Sequence, residues 1–190
     1  MMPRTTLAET IDTGIYYYIR NAYFTNYYAS INSNNTIVPA AKGTADKFLW
    51  SFIKNADGTI YIYNKSNGKG AYISSNAADQ TLMVGKEYAW TLIETTTDTG
   101  NKGIAIVAGD GEHGWYTNPN AWNYVLTKPY TWGASVWTLE KSGIDVPTSI
   151  IEIESDAKAE KSIYDLRGNR LSRIITPGIY IINGKKTFVK

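Results

Sequence analysis

Apolar and polar residues alternate in short runs along most of the chain, and glycine, asparagine and aspartate break the runs. GIYYYIR (14–20), GTIYIYN (58–64) and KGIAIVA (102–108) are examples. Period-two alternation bounded by turn residues predicts strands, and no stretch holds the 3.6-residue period of an amphipathic helix. In 15–20 the alternation puts Tyr16 and Tyr18 on one face and Ile15, Tyr17 and Ile19 on the other.

The runs recur. Gly14, Gly58 and Gly103 each open a strand, and Tyr28, Tyr72 and Tyr116 follow after 14, 14 and 13 residues. Each copy closes on a tryptophan strand: LWSFI around Trp50, AWTLI around Trp90 and VWTLE around Trp137. The distances from opening glycine to closing tryptophan are 36, 32 and 34 residues. Four strands are expected per copy, near 15–20, 26–31, 36–39 and 48–54, then 59–64, 70–74, 80–84 and 88–94, then 103–108, 113–117, 123–127 and 135–140. A single copy cannot bury its own apolar face, so three copies must close on one another. A six-stranded barrel capped by three hairpins does so and leaves no open edge. Residues 13–141 are therefore expected to form a β-trefoil, with one tryptophan per copy in the core and 1–12 as an N-terminal tail.

Repeat length, strand count and a tryptophan on each last strand make 13–141 resemble the ricin-type carbohydrate-binding trefoils. That resemblance implies a fold that binds glycans. The residues two before each tryptophan are Phe48, Tyr88 and Ser135, where the ricin-type motif has Gln.

SGIDVPTS interrupts the pattern, so 142–148 reads as a linker and 149–190 as a small β-sandwich or hairpin domain. Within it, Asn183-Gly184 between apolar runs is a hairpin signal. Ile163-Tyr164-Asp165-Leu166, Gly168, Arg170-Leu171, Pro177-Gly178-Ile179-Tyr180 and the closing KKTFVK resemble the C-terminal sorting-type domain of the type IX secretion family. The resemblance implies export from a Gram-negative bacterium to the periplasm, the cell surface or the medium. The first fourteen residues, MMPRTTLAETIDTG, contain no apolar core of a signal peptide.

Composition narrows the partners. Nineteen Lys and Arg stand against seventeen Asp and Glu. They are evenly spread: 13–141 holds ten against nine, and 142–190 eight against six. A nucleic-acid or anionic-membrane partner would need a basic stripe, and none is present. No run of about 18 apolar residues occurs, so membrane insertion is not expected. With no cysteine, disulfides, thiolate chemistry and cysteine-bound metals are excluded. No phosphate-binding loop or dinucleotide fingerprint is present, so no cofactor is expected.

All six Trp, thirteen of fifteen Tyr and three of four Phe lie in 13–141. Three Trp suffice for the repeated core, which leaves Trp115, Trp122 and Trp132 in surplus. They lie in or just after DGEHGWYTNPNAWNYV (110–125), with the only His and three Asn. A pyranose presents an apolar face that stacks on an aromatic ring, and hydroxyls that need donors and acceptors. The expected ligand site is accordingly Trp122 and Trp132, then Trp115, for stacking, and Asp110, His113, Asn118 and Asn120 for polar contacts. The same Asn and Pro residues also build turns. Tyr23 and Phe24, at a hairpin tip, are candidates for a second, weak site.

A catalytic site is not expected. Asp110 and Glu112 are two residues apart, and a glycosidase needs two carboxyls about 5–9.5 Å apart in unlike surroundings. No G-x-S-x-G nucleophile elbow accompanies His113. One histidine and sparse acids do not make a zinc or calcium site. Two further functions fit the composition: a structural or protein-interaction module at the C-terminal end of a larger exported glycoside hydrolase, and an inhibitor-type trefoil that uses one protruding loop.

Overall fold

The computed structural model describes residues 11–121, 123–147, 163–164, 170–171, 178–182 and 185–189. The chain divides into two compact units, Met1–Thr148 and Ser149–Lys190.

Twelve strands build the first unit, four from each repeat. The first repeat supplies β1 (Ile15–Asn21), β2 (Tyr28–Ile31), β3 (Ile37–Ala40) and β4 (Trp50–Lys54). The second supplies β5 (Ile60–Asn64), β6 (Lys69–Tyr72), β7 (Met83–Val84) and β8 (Thr91–Thr96). The third supplies β9 (Lys102–Val107), β10 (His113–Tyr116), β11 (Leu126–Pro129) and β12 (Val136–Asp145). First and last strands of the repeats form a closed ring. β1 pairs with β4 and β12, β4 with β5, and β9 with β8 and β12. Reciprocal hydrogen bonds between Ile60 and Trp90 (2.8 and 2.9 Å) close the gap between β5 and β8. Closure leaves no barrel edge for another chain to extend.

The middle strands form three hairpins, β2–β3, β6–β7 and β10–β11, that cap one end. They meet in a cycle of backbone bonds. Ile37 N–H donates to Leu82 O (2.9 Å), Leu82 N–H to Val125 O (3.0 Å) and Val125 N–H to Ile37 O (2.7 Å). All three residues are fully buried, so the cycle marks the pseudo-threefold axis.

The repeated tryptophans are related by the same axis. Trp50 Nε1–H donates to Ala29 O, Trp90 Nε1–H to Ala71 O and Trp137 Nε1–H to Trp115 O, at 3.0, 3.0 and 2.9 Å. Each indole thereby ties a barrel strand to the hairpin of its own repeat. The three acceptor positions are equivalent, and they hold Ala, Ala and Trp. Trp115 fills the space that the two alanines leave. Its ring meets those of Trp50, Trp90 and Trp137 edge-on at 5.8, 5.7 and 6.3 Å. Edge-to-face contacts at such distances are favourable because a ring's positive rim faces a negative face.

From Tyr17 to Asn21 β1 alternates as the pattern predicts, while a register shift lies between Ile15 and Tyr17 and Tyr16 is buried as well. Tyr17 and Ile19 enter the core, while Lys65 lies over the Tyr16 ring and Lys42 over Tyr18 (5.6 and 4.4 Å). One boundary needs correction. Residues 142–145, read as the start of a linker, belong to β12, where Asp145 pairs with Ile15. Gly143 takes a left-handed backbone (φ 75°), which lets the strand run on through a residue expected to end it.

Among the described residues of the second unit, the strands form a four-stranded antiparallel sheet in the order β14-β13-β15-β16. Its strands are β13 (Ile163–Tyr164), β14 (Arg170–Leu171), β15 (Gly178–Ile182) and β16 (Lys185–Val189). Ile182 lies opposite Lys185, the register a two-residue connection imposes. Tyr180 is buried, and Ile179 and Phe188, paired across the hairpin, are exposed. Asp165, Leu166, Gly168, Pro177 and Lys190 of the sorting-type pattern lie outside the described residues.

Candidate functional site

Barrel register fixes which loops meet. Asn21 pairs with Trp137 and Asn64 with Trp50, and the β8–β9 register puts Ala108 opposite Trp90. The loop after each first strand therefore packs against the last loop of the preceding repeat. Asn21 shows how. Its side-chain N–H donates to Ala134 O (2.9 Å), and its Oδ1 accepts the amides of Tyr23 (3.1 Å) and Phe24 (2.8 Å). Asn64 repeats the arrangement between Lys47 O (3.0 Å) and the amide of Ser66 (3.1 Å). Each asparagine is wholly buried with its polar atoms satisfied.

The geometry separates the residues expected to form one site. Asp110 lies in the loop between β9 and β10 and His113 opens β10; this loop packs on the second repeat, where Gly109 N–H donates to Tyr88 Oη (3.1 Å) and Tyr88 Oη–H in turn donates to Asn76. Trp132 lies in the loop between β11 and β12 and faces the first repeat. These are different junctions around the axis. Among the described residues no hydrogen bond or ring contact joins Asp110 or His113 to Trp132.

Asp110 is committed to its own turn. Its Oδ1 accepts the amides of Glu112 (2.9 Å) and His113 (3.0 Å), and its Oδ2 lies 2.7 Å from His113 Nδ1. Burial pushes the carboxyl up, but the two amides and the His113 ring outweigh it and hold Asp110 below the usual carboxylate range. This is the chemistry of a hydrogen-bonded turn, with both oxygens already engaged.

Trp115 must be removed from the expected ligand set. It is 0% exposed and stands among the other three core indoles. Its Nε1–H has no hydrogen-bond partner among the described residues. Trp122 lies outside the described residues. Asn118 Oδ1 accepts the amide of Asn120 (3.2 Å) and its carbonyl accepts that of Ala121 (2.9 Å), which makes it a turn builder. Thr117 N–H reaches Ala134 O (3.4 Å), so this turn lies beside the loop that carries Trp132.

Among the described residues, Trp132 is the surplus indole left in solvent, 47% exposed. Its ring stands edge-on to Tyr116 (5.6 Å, 76°), and Lys128 Nζ lies 5.6 Å from its centroid. The partner loop brings Tyr23, 42% exposed, with Phe24 edge-on to it (5.0 Å). Phe24 and Tyr124 pack on a buried cluster of Tyr116, Leu126 and Ala134. A third loop, between β8 and β9, adds Asp98, tied in by Asn101 Nδ2, which donates to Ala22 O (2.9 Å). Gly133 lets the three loops close up. A Cβ there would lie 2.7 Å from Asp98 Oδ1 and 3.2 Å from Tyr23 Cδ2. The result is a ledge where the loops carrying exposed Trp132, exposed Tyr23 and the Asp98 carboxylate meet.

Among the described residues the ledge occurs once. Trp132 precedes a 3-10 turn at Gly133–Ser135, and its counterpart before the matching turn at Asp46–Phe48 is Ala45. The counterparts of Tyr23 are Ser66 and Asp110. Three concave depressions, of about 560, 330 and 210 Å³, lie along the strands of the barrel, and none is lined by Trp132, Tyr23, Asp110 or His113.

No protein-family model and no curated protein matches the sequence. Solved structures do match. The Macrolepiota procera ricin B-like lectin, in complex with lactose, superposes with a TM-score of 0.57 at 14% identity, over 68% of this chain and 97% of that one. The designed three-fold symmetric protein ThreeFoil gives 0.54 at 13%, over 66% and 97%. The N-terminal unit is a β-trefoil. The Polyporus squamosus lectin, bound to the epitope Neu5Aca2-6Galb1-4GlcNAc, gives 0.54 at 17%, over 69% of this chain and 50% of its own. At these identities the trefoil is shared as a fold, and the residues that line a site must be read from this chain itself.

Proposed function

We propose that the trefoil is a non-catalytic carbohydrate-binding module whose site is the ledge of Trp132 and Tyr23. One observation carries this reading: a surplus tryptophan, held edge-on by Tyr116, offers its ring to solvent beside a second exposed aromatic and a carboxylate. A sugar's apolar face stacks on Trp132, and Asp98 accepts its hydroxyls. Asn118 and Asn120 supply further donors and acceptors from the neighbouring turn. Trp122 enters on sequence grounds alone, as a second stacking ring. Lectins that share the fold, crystallised with lactose and with a sialylated trisaccharide, support glycans as the ligand class. One shallow ledge implies weak binding, so firm attachment needs avidity from a second module. The C-terminal pattern supports export, with the module displayed outside the cytoplasm.

A glycan array probed with the wild type and Trp132→Ala tests this. Wild-type signal lost in the variant, at unchanged melting temperature, is the expected result. Absence of any wild-type signal would leave the module without a carbohydrate function and favour a protein-interaction role. Fractionation of cells expressing the chain with and without 149–190 tests the export reading.

A further inference from the structure

Building on that reading of the ledge, we propose that the site takes a non-ionic saccharide, one without carboxylate, sulfate or phosphate groups. The charges around the aromatic rings point one way. Lys128, beside the Trp132 ring, is paired with Asp79 at 2.5 Å, and its side chain is only 15% exposed. Asp79 is fixed there: its amide donates to Thr127 O (2.7 Å) and its backbone is left-handed (φ 63°). Arg20, behind the Tyr23 loop, donates from Nε to Thr25 O (2.7 Å) and lies 3.5 Å from Glu140. Both of these cations thus already face a carboxylate.

Asp98 lies on the other side, exposed, at the tip of a loop that is itself well anchored. Thr97 N–H donates to Asn101 O (2.8 Å), Asn101 N–H to Thr97 Oγ1 (2.9 Å), and the Asn101 side chain to Ala22 O. Among the described residues Asp98 has no ion pair. A sugar hydroxyl can donate to this carboxylate. An anionic group would be repelled by it, and would find Lys128 and Arg20 already paired.

The test is titration calorimetry of the full chain at low salt. The probes are a neutral oligosaccharide from the array and the same core bearing sialate or sulfate next to the contacted ring. The expected result is an affinity for the acidic form lower by about tenfold, a gap that narrows as salt rises. Asp98→Asn is expected to narrow it too, and Asp79→Asn, which releases Lys128, to raise affinity for the acidic form selectively. Equal or tighter binding of the acidic glycan by the wild type overturns the proposal and leaves carbohydrate binding standing. Failure of both glycans to bind overturns the carbohydrate reading together with it.

Discussion

Replacing Trp115 with alanine is expected to cost stability and to do so through the core. The ring is fully buried against three other indoles. A tryptophan buries about 150–250 Å², which at about 25 cal/mol per Å² is roughly 4–6 kcal/mol. Partial collapse of the cavity and loss of an unsatisfied buried N–H reduce that figure, and the net falls at about 3–5 kcal/mol. For a chain of this length each kcal/mol moves the melting temperature by about 2–4 °C, so a drop of roughly 6–20 °C is expected in a calorimetric scan. Trp115→Phe separates ring from N–H. It keeps an edge-to-face partner and removes a donor that has no acceptor, so a loss of under about 1.5 kcal/mol is expected. Trp137→Phe forfeits a 2.9 Å bond to Trp115 O and is expected to lose more. A Trp115→Ala variant that melts like the wild type and binds glycan less well would refute the placement of this ring at the centre of the fold.

Three further outcomes follow from the loops. Asn21→Ala removes a buried side chain that joins the Tyr23 loop to the Trp132 loop, and is expected to cost about 1–3 kcal/mol by chemical denaturation while also weakening glycan binding. Gly133→Ala places a methyl against Asp98 and Tyr23, so affinity is expected to fall several-fold with little change in melting temperature, because Asp98 is exposed and can move aside. The folded Asp110 carboxyl lies below its ordinary value near 4. Its contribution is therefore fully present above that value and is lost as pH falls through the lower folded one. In Asp110→Asn, stability measured between about pH 4 and 2 is expected to vary less steeply, with glycan affinity unchanged.

The repeat was legible because its spacing and its three closing tryptophans survive in the sequence. The site is only half legible, and the first copy is matched one residue out of step. Matching Tyr28 with Tyr72 and Tyr116 follows residue identity. The indole hydrogen bonds match Ala29 with Ala71 and Trp115, which puts Tyr72 and Tyr116 beside Ser30. Trp115 counts as surplus in the sequence because three closing tryptophans already supply one core ring per repeat, although the small Ala71 at its equivalent position signals that the third copy must fill the axis. Chain proximity misled in the same way. Asp110 and Trp132 share a repeat, but each repeat's first loop touches the last loop of the one before it. The loop that carries Trp132 consequently meets the loop that carries Tyr23, more than a hundred residues away. The contribution of Asp98, Lys128 and Gly133 carries no sequence signal, since it depends on three loops meeting at one junction.

The most direct measurement is a ¹H–¹⁵N NMR titration of the protein with a neutral oligosaccharide. The Trp132 indole N–H and the Tyr23 and Asp98 amides are expected to shift together in a saturable manner, while the Trp115 indole and the His113 amide stay in place. Saturable shifts confined to the loop of Asp110 and His113, with Trp132 unmoved, would contradict a binding site on the aromatic ledge.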